Sequence, residues 1–542
     1  RLSNIGTDGY IDRASVDLYS FYAQGGYFAD NTSVKFITFG GKEKTYHAWN
    51  YATKEEMKKY GRRFNSCGMY TDDDGHIRFY KDQTDNYLQM NYQLLLNHTF
   101  SAAWNLNAAL HYTKGDGYYQ EYKEDRSLKE YRLHPFMYDG KEVEKSDLIR
   151  QKKMDNHFGG GVFSVNYRNE KLDASLGGAL NYYDGWHFGR VIWVKNYIGE
   201  LLPDHEYYRN KAKKTDGNLY LKANYNLVAG LNAYADLQYR YINYKIHGDN
   251  DKYDYNTDGL QKLAVNDHFN FFNPKAGLNW DIDSNNRVYA SFSVAQKEPT
   301  RNNYTDGNAD EYPKAEKLYD YELGYTYRNT WLSAGVNFYY MDYKDQLVLT
   351  GELNEIGEAM ARNVPDSYRT GVELMLGVKP CRWFQWDING TLSKNRVKNF
   401  TEKLYEDEWK NPIEVEHGNT PIAFSPDFIL NNRFSFSHKG FEAALQSQYV
   451  SKQYMSNAKQ AEQTLDAYFV SNLNLAYTFQ LRHVKSVTVG FTIYNLFNEK
   501  YENNGYAGSG YTLKDGKPER YNYAGYAAQA GTNVMGNISI RF

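Results

Sequence analysis

Tyrosine and tryptophan crowd two stretches of the chain, Tyr118-Tyr119-Gln120-Glu121-Tyr122 and Tyr182-Tyr183-Asp184-Gly185-Trp186-His187. Such rings make a rigid, amphipathic surface that can grip a bulky solute, so Tyr118, Tyr119, Tyr122, Trp186 and His187 are candidate ligand contacts. His47, His76, His134 and His187 offer imidazoles able to ligate haem iron, with no pair at a telling spacing; for haem, His134 or His187 would have to be indispensable. Two acidic stretches, Asp72-Asp73-Asp74 and Asp249-Asn250-Asp251 continuing to Asp254 and Asp258, hold enough oxygens for Ca²⁺, and Asp249, Asp251 and Asp254 are the candidate set; neither matches an EF-hand. No Ser/His/Asp arrangement, glycine-rich phosphate loop or H-E-x-x-H motif is present, so an enzymatic barrel, lipase-like or protease-like, has no motif in its favour. Cys67 and Cys381 stand far apart and offer neither a metal pattern nor a disulfide framework.

The elements that must position these side chains show in the alternation of apolar and polar residues. In one stretch Leu219, Leu221, Ala223, Tyr225 and Leu227 share a parity, while Lys222, Asn224 and Asn226 take the other. After Ala229-Gly230 the pattern resumes with Leu231, Ala233, Ala235, Leu237, Tyr239 and Tyr241, opposed by Asn232, Tyr234, Asp236, Gln238 and Arg240. A period of two means strand, and two long strands joined by almost nothing mean an antiparallel hairpin. About nineteen such segments, each of roughly 8 to 13 residues, run from residue 17 to 542, which is the signature of a transmembrane antiparallel β-barrel. Lipid-facing parity includes Leu221, Ala223, Leu237, Phe292, Leu475 and Phe491. The opposite, wet face includes Lys222, Asn224, Arg240, Glu322, Arg328, Glu373 and Arg433.

Composition agrees with an all-β chain wet on one side. Of 542 residues, 54 are Tyr and 28 Phe, and the mean hydropathy of -0.77 is too polar for helical membrane spans. Sixty-three Lys and Arg nearly balance 66 Asp and Glu, which leaves no electrostatic footprint for nucleic acid.

Gaps between the segments alternate in length. Short ones near 29–33, 99–101, 169–170, 229–230, 283–286, 330, 379–382, 438–440 and 480–484 fit tight turns at one rim. Long ones near 40–86, 113–156, 184–217, 247–271, 297–317, 343–366, 395–426, 451–466 and 495–532 must share the other rim, because antiparallel neighbours alternate direction. Outer-membrane barrels turn tightly in the periplasm and carry long loops outside. The expected placement is therefore integral to the cell outer membrane, with long loops extracellular and the terminal strand ending in the periplasm. Trp104, Trp280, Trp331 and Trp383 beside short turns suit an aromatic girdle in outer-membrane lipid. An odd count of nineteen cannot close an even-numbered bacterial barrel, so further strands are expected upstream of Arg1.

Several phrases then resemble the TonB-dependent outer-membrane receptors, in the flavour common in Bacteroides-like bacteria: Arg1 to Ala14 (RLSNIGTDGYIDRA), Asn273 to Gly277 (NPKAG), Tyr289 to Tyr304 (YASFSVAQKEPTRNNY), Lys317 to Tyr325 (KLYDYELGY), Asn363 to Glu373 (NVPDSYRTGVE), Tyr494 to Tyr506 (YNLFNEKYENNGY) and Tyr526 to Phe542. The resemblance covers essentially the whole chain. It implies a 22-stranded barrel, with residues 1–542 forming the barrel domain without its N-terminal plug and about three first strands. It also implies a plug packed against the polar lumen residues, and a TonB box that engages the TonB-ExbB-ExbD complex. The implied cargo is a bulky scarce solute, a ferric siderophore first, with haem or cobalamin as alternatives. A passive porin or adhesin barrel is the reading that an upstream plug and TonB box would exclude.

Overall fold

The computed structural model describes residues 1–202, 205–255, 257–306, 312–354, 357–406 and 410–542. Among them the chain is almost entirely strand: twenty-one strands enter extended antiparallel pairing, and eight more form four separate two-stranded ribbons. Among the described residues no helix is long and apolar enough to cross a membrane. Nineteen of the twenty-one correspond to the nineteen alternating segments. The other two are Leu2–Thr7, paired with Val16–Phe28, and Lys410–Pro421, paired with Phe384–Glu406.

The chain divides into two compact units. The first comprises Arg1–Asn50, Arg63–Asn224 and Asp236–Asn273; the second comprises Tyr51–Arg62, Tyr225–Ala235 and Pro274–Phe542. In the first, Val16–Phe28, Thr32–Tyr46, Thr84–Thr99, Trp104–Ser127, Lys145–Arg168 and Leu172–Val194 pair each with the next. In the second, the succession runs from Asn286–Lys297 through Glu316–Arg328, Leu332–Leu353, Ala359–Cys381 and Phe384–Glu406 to Phe428–His438, Phe441–Val450, Tyr468–Leu481, Val484–Tyr494 and Asn533–Arg541.

Directly opposed residues in an antiparallel ladder point to the same face, so the registers show how each face is built. In the second unit Ala290, Leu323, Phe338, Val372 and Leu392 form one continuous cross-strand row, and Val288, Tyr325, Val336 and Leu374 form the next. Leu475 stands opposite Phe491, and Phe292 opposite Tyr321. The other parity is polar: Asn337, Glu373 and Thr391 form one row, while Arg328, Ser333, Gly377, Asp387 and Arg433 form another. Glu322 shares that face. In the first unit Phe36, Leu94, Leu110, Gly161 and Leu180 make the apolar row. Arg240 donates to Asp216 through Nε at 3.0 Å and Nη2 at 2.6 Å.

Strand length departs from the sequence expectation. Trp104–Ser127 and Lys145–Arg168 have 24 residues each, and Leu172–Val194 has 23, whereas about ten residues suffice to cross hydrocarbon. Much of what the sequence leaves as long loops is strand that continues past the apolar band. Only the alternation ends there, because beyond lipid both faces are wet while the backbone still needs its ladder. Tyr118, Tyr119, Tyr122, Trp186, His187, Asp249, Asp251 and Asp254 therefore lie in strands, not loops. The strand Asn286–Lys297 stops two residues before Pro299, and a short helix, Arg301–Thr305, follows, where the Thr300 N–H donates to Asn303 Oδ1 at 2.8 Å.

Leu221 is half exposed on the apolar parity. Leu221→Lys is expected to cost about 2 to 4 kcal/mol of folding free energy in lipid, against nearly none for Asn224→Lys. Urea unfolding in bilayers, read by the electrophoretic shift of folded barrel, checks this; equal costs would mean that the apolar parity does not face lipid.

Candidate functional site

The aromatic candidates do not form one site. Tyr118, Lys153 and Phe188 are cross-strand partners, and so are Tyr119, Lys152 and Gly189. Counting from the apolar row of Leu110, Gly161 and Leu180 with no register shift between, Tyr118, Tyr122 and Trp186 continue the lipid parity, while Tyr119 and His187 take the opposite face. Adjacent residues in a strand cannot share a face, so this set is corrected to two groups. His134 is exposed in the connection before the strand Phe136–Tyr138, and His187 lies 3.5 Å from the Tyr183 hydroxyl.

The inward group in the first unit is a buried charge cluster. Glu121 receives Arg150 Nε at 3.0 Å and Lys123 Nζ at 3.1 Å; Arg150 Nη1 donates to the Tyr131 hydroxyl at 3.2 Å, and Lys152 pairs with Asp251. Burial alone would raise the Glu121 carboxyl, but Arg150, Lys123 and Lys152 outweigh it and pull it down to about 2. Over this cluster the connection between two long strands folds in, burying Leu128, Tyr131, Leu133 and Phe136 with Leu148, Val191 and Tyr207. Beside it His47 is 3% exposed, stacked on Trp49 at 3.7 Å and edge-on to Tyr119, and neither ring nitrogen has a hydrogen-bond partner. Desolvation lowers its pKa to about 4.

The Ca²⁺ set is likewise corrected. Asp249 pairs with Arg132 and Lys262, which outweigh the effect of its burial and keep its carboxyl below the usual range. Asp251 is taken by Lys152, and Asp254 accepts from Thr257 at 2.9 Å. These oxygens are held by protein donors. Among the described residues the one trio with metal-ligating atoms within 4.8 Å of one another is Asp72, Asp74 and His76. There Asp72 already accepts from Arg78 and from two backbone N–H groups.

The second unit holds a cavity of about 450 Å³ that sequence reasoning missed. Its apolar floor is Val348, Val364 and Val397, packed with Ile422 and Phe400. Its polar lining includes Lys314, Arg362, Asn363, Lys403, Glu352 and Glu402. Strands Leu332–Leu353, Ala359–Cys381 and Phe384–Glu406 supply most of it, and the hairpin of Glu502–Lys514 with Lys517–Ala528 closes one side through Gly508 and Ser509. Arg520 of that hairpin grips Glu402 with both terminal nitrogens, at 2.6 and 2.9 Å, and donates to Ser509 at 2.7 Å. His417 reaches the same carboxylate at 2.7 Å. Burial raises the Glu352 carboxyl against the pull of Arg362, 3.9 Å away. Gly351 lets the backbone pass: at φ +100°, a Cβ there would stand 2.4 Å from the Met455 carbonyl oxygen. No signal marked them in the sequence, since Val348, Val364, Val397 and Ile422 lie in gaps that also hold Leu347, Leu349, Phe400, Leu404, Ile413 and Val415.

A sequence profile described as "TonB dependent receptor-like, beta-barrel" matches residues 12–496. The pesticin receptor of Yersinia enterocolitica is 24% identical over 225 residues, 41% of this chain, and the match spans 30% of that receptor's length. Among solved structures, the ferric yersiniabactin uptake receptor of Yersinia pestis superposes with a TM-score of 0.67 at 14% identity, covering 100% of this chain and 74% of that one. The ferric-catecholate import receptor of E. coli gives 0.64 at 10% identity, covering 100% and 77%.

The buried imidazole has a consequence in acid. Unfolded, it holds a proton up to about pH 6.5; folded, only below about 4, so acid favours the unfolded chain across that interval. The stability it leaves intact at neutral pH falls by roughly 3 kcal/mol between pH 6.5 and 4. Glu121, depressed in the fold, adds a second loss from pH 4.5 down to about 2. His47→Leu should flatten the first fall and leave the second, as read by thermal midpoints across pH; an unchanged profile in that variant would refute the assignment.

Proposed function

The chain belongs to the TonB dependent receptor-like β-barrel family, and on that premise we propose that it forms the wall of an outer-membrane importer that captures a bulky, scarce solute, a ferric siderophore, from outside the cell. The family is one of receptors and transporters, not of enzymes. The observation that carries the cargo reading is the 450 Å³ cavity, where Lys314, Arg362 and Lys403 stand over a floor of Val348, Val364, Val397 and Phe400. Cations attract an anionic chelate and the apolar floor takes its organic shell. Two similar structures are named as importers or uptake receptors of ferric chelates, which favours the same cargo class here.

The finer architecture belongs to the same reading: a 22-stranded barrel of the Bacteroides-like flavour, with short turns and the terminal strand at the periplasmic rim and long connections outside. A plug in the lumen would meet Lys222, Asn224, Arg240, Glu322, Arg328, Glu373 and Arg433. In the whole protein, import would draw on the TonB-ExbB-ExbD complex through a TonB box. The cavity replaces Tyr118, Tyr119, Tyr122, Trp186 and His187 as the primary contact set, because those residues divide between two faces. Haem would need His134 or His187, and cobalamin neither.

The test is a binding screen of the whole receptor against ferric chelates, haem and cobalamin, backed by growth on each and by uptake with TonB deleted. A ferric chelate should bind, and Arg362→Gln with Lys403→Gln should weaken it tenfold or more, consistent with charge-assisted bonds of about 1.5 to 3 kcal/mol, while His134→Ala and His187→Ala bind normally. Binding of cobalamin alone, or uptake indifferent to TonB, would overturn this reading.

A further inference from the structure

We propose that Asn504 is a site of spontaneous covalent modification, where the main-chain nitrogen of Gly505 closes on the Asn504 side chain and converts it to aspartate and isoaspartate. The chain holds two Asn-Gly pairs, Asn389-Gly390 and Asn504-Gly505. Glycine after Asn favours this reaction, because no side chain shields the attacking nitrogen. The fold treats the two pairs differently.

Asn389 and Gly390 lie inside the strand Phe384–Glu406 with a neighbour on each side: Asn389 stands opposite Met375 and Asn431, and Gly390 opposite Leu374 and Leu430. The Asn389 side-chain oxygen accepts from Asn431 Nδ2 at 3.1 Å. Two ladders keep this backbone extended, and turning the Gly390 nitrogen onto the Asn389 side chain would break rungs.

Asn504-Gly505 instead sits at a bulge in the hairpin of Glu502–Lys514 with Lys517–Ala528. The register slips between Glu502 and Gly505, which leaves Asn503 and Asn504 exposed and without a rung. Tyr526, opposite Gly505, gives its N–H and C=O to Ala52 at 2.8 and 3.2 Å, so Gly505 turns its own N–H away from the ladder. That N–H donates to Asn504 Oδ1 at 2.9 Å, while Asn504 Nδ2 donates to the Tyr51 hydroxyl at 3.3 Å. The attacking nitrogen thus already rests against the carboxamide it must enter. Packing admits only glycine there: a Cβ on residue 505 would stand 2.5 Å from the Gly525 carbonyl oxygen and 2.6 Å from Met455 Sδ.

The Gly505 nitrogen loses its proton to water and bonds to Asn504 Cγ. The Cγ–Nδ2 bond breaks, and the side-chain nitrogen leaves as ammonia, its third hydrogen drawn from solvent. Water then opens the cyclic imide, at Cγ to give aspartate or at the Asn504 main-chain carbonyl carbon to give isoaspartate; nothing is oxidised or reduced. The product places a new carboxylate two residues from Glu502, which pairs with Arg62, on the hairpin that closes one side of the cavity.

The test incubates the purified, folded full chain in detergent at mildly alkaline pH, with a parallel sample unfolded in urea. Peptide mapping by mass spectrometry follows the amide-to-acid mass gain at each Asn-Gly pair, and enzymatic methylation of isoaspartyl carboxylates identifies the imide route. In the folded protein Asn504 should convert about tenfold or more faster than Asn389, whereas in urea the two should convert alike. Isoaspartate should appear at residue 504. Asn504→Gln should abolish the gain in that peptide and leave Asn389 as it was. Equal rates at the two pairs in the folded protein, a product free of isoaspartate, or a gain that persists in Asn504→Gln and so arises at Asn503 would each overturn the site. Heat-dependent electrophoretic mobility confirms that the folded sample stays folded throughout.

Discussion

Hydrocarbon offers nothing to a peptide N–H or C=O, so a chain that crosses it as strands must hand every backbone group to a neighbour. From that constraint follow the uninterrupted ladders, the antiparallel order and the parity that puts Leu323, Phe338 and Val372 on one face and Glu322, Asn337 and Glu373 on the other. Once register is fixed, a side chain's solvent is fixed with it, since a slip of one residue would exchange the faces. The positions of Arg433, Glu373 and Arg240 are consequences of the ladder before they are anything else.

Beyond the apolar band the same ladders persist for a different purpose. They hold side chains in positions that loops would leave vague, and charge can be buried because several partners share it. Glu121 is tolerable inside the fold only because Arg150 and Lys123 meet it together while the Tyr131 hydroxyl occupies Arg150. In the second unit Glu402 is held by Arg520 and His417, and through it a hairpin more than a hundred residues away in sequence is fastened beside the cavity. In both units the charged groups fix geometry more than they add stability.

The membrane-facing part was legible because two-residue periodicity is written into every segment: Leu219 to Leu227 announce their face without knowledge of any neighbour. The upper part was not. Tyr118 and Tyr119 are adjacent in sequence and look like one aromatic patch, but a strand sends them to opposite faces. Asp249 and Asp251 look like a cation site until Arg132, Lys262 and Lys152 arrive from other strands. The cavity joins Lys314, Glu352, Lys403 and Ser509, a set that no spacing rule links, because cross-strand pairing and not chain order brings it together. Local pattern reveals which solvent a residue prefers; shared sites depend on long-range closure.

Strand Phe384–Glu406 divides its allegiance: residues up to Leu392 pair with Phe428–Phe436, while residues from Arg396 onward pair with Lys410–Pro421. The ribbon above the fork joins the ladder of Ala359–Cys381 only through the rungs of Arg396 and Val397, and it shares none with Phe428–His438. Insertions and deletions in that ribbon leave the register in lipid untouched. Chain length can therefore change in this stretch without exchanging which residues of Phe384–Leu392 and Phe428–Phe436 face lipid.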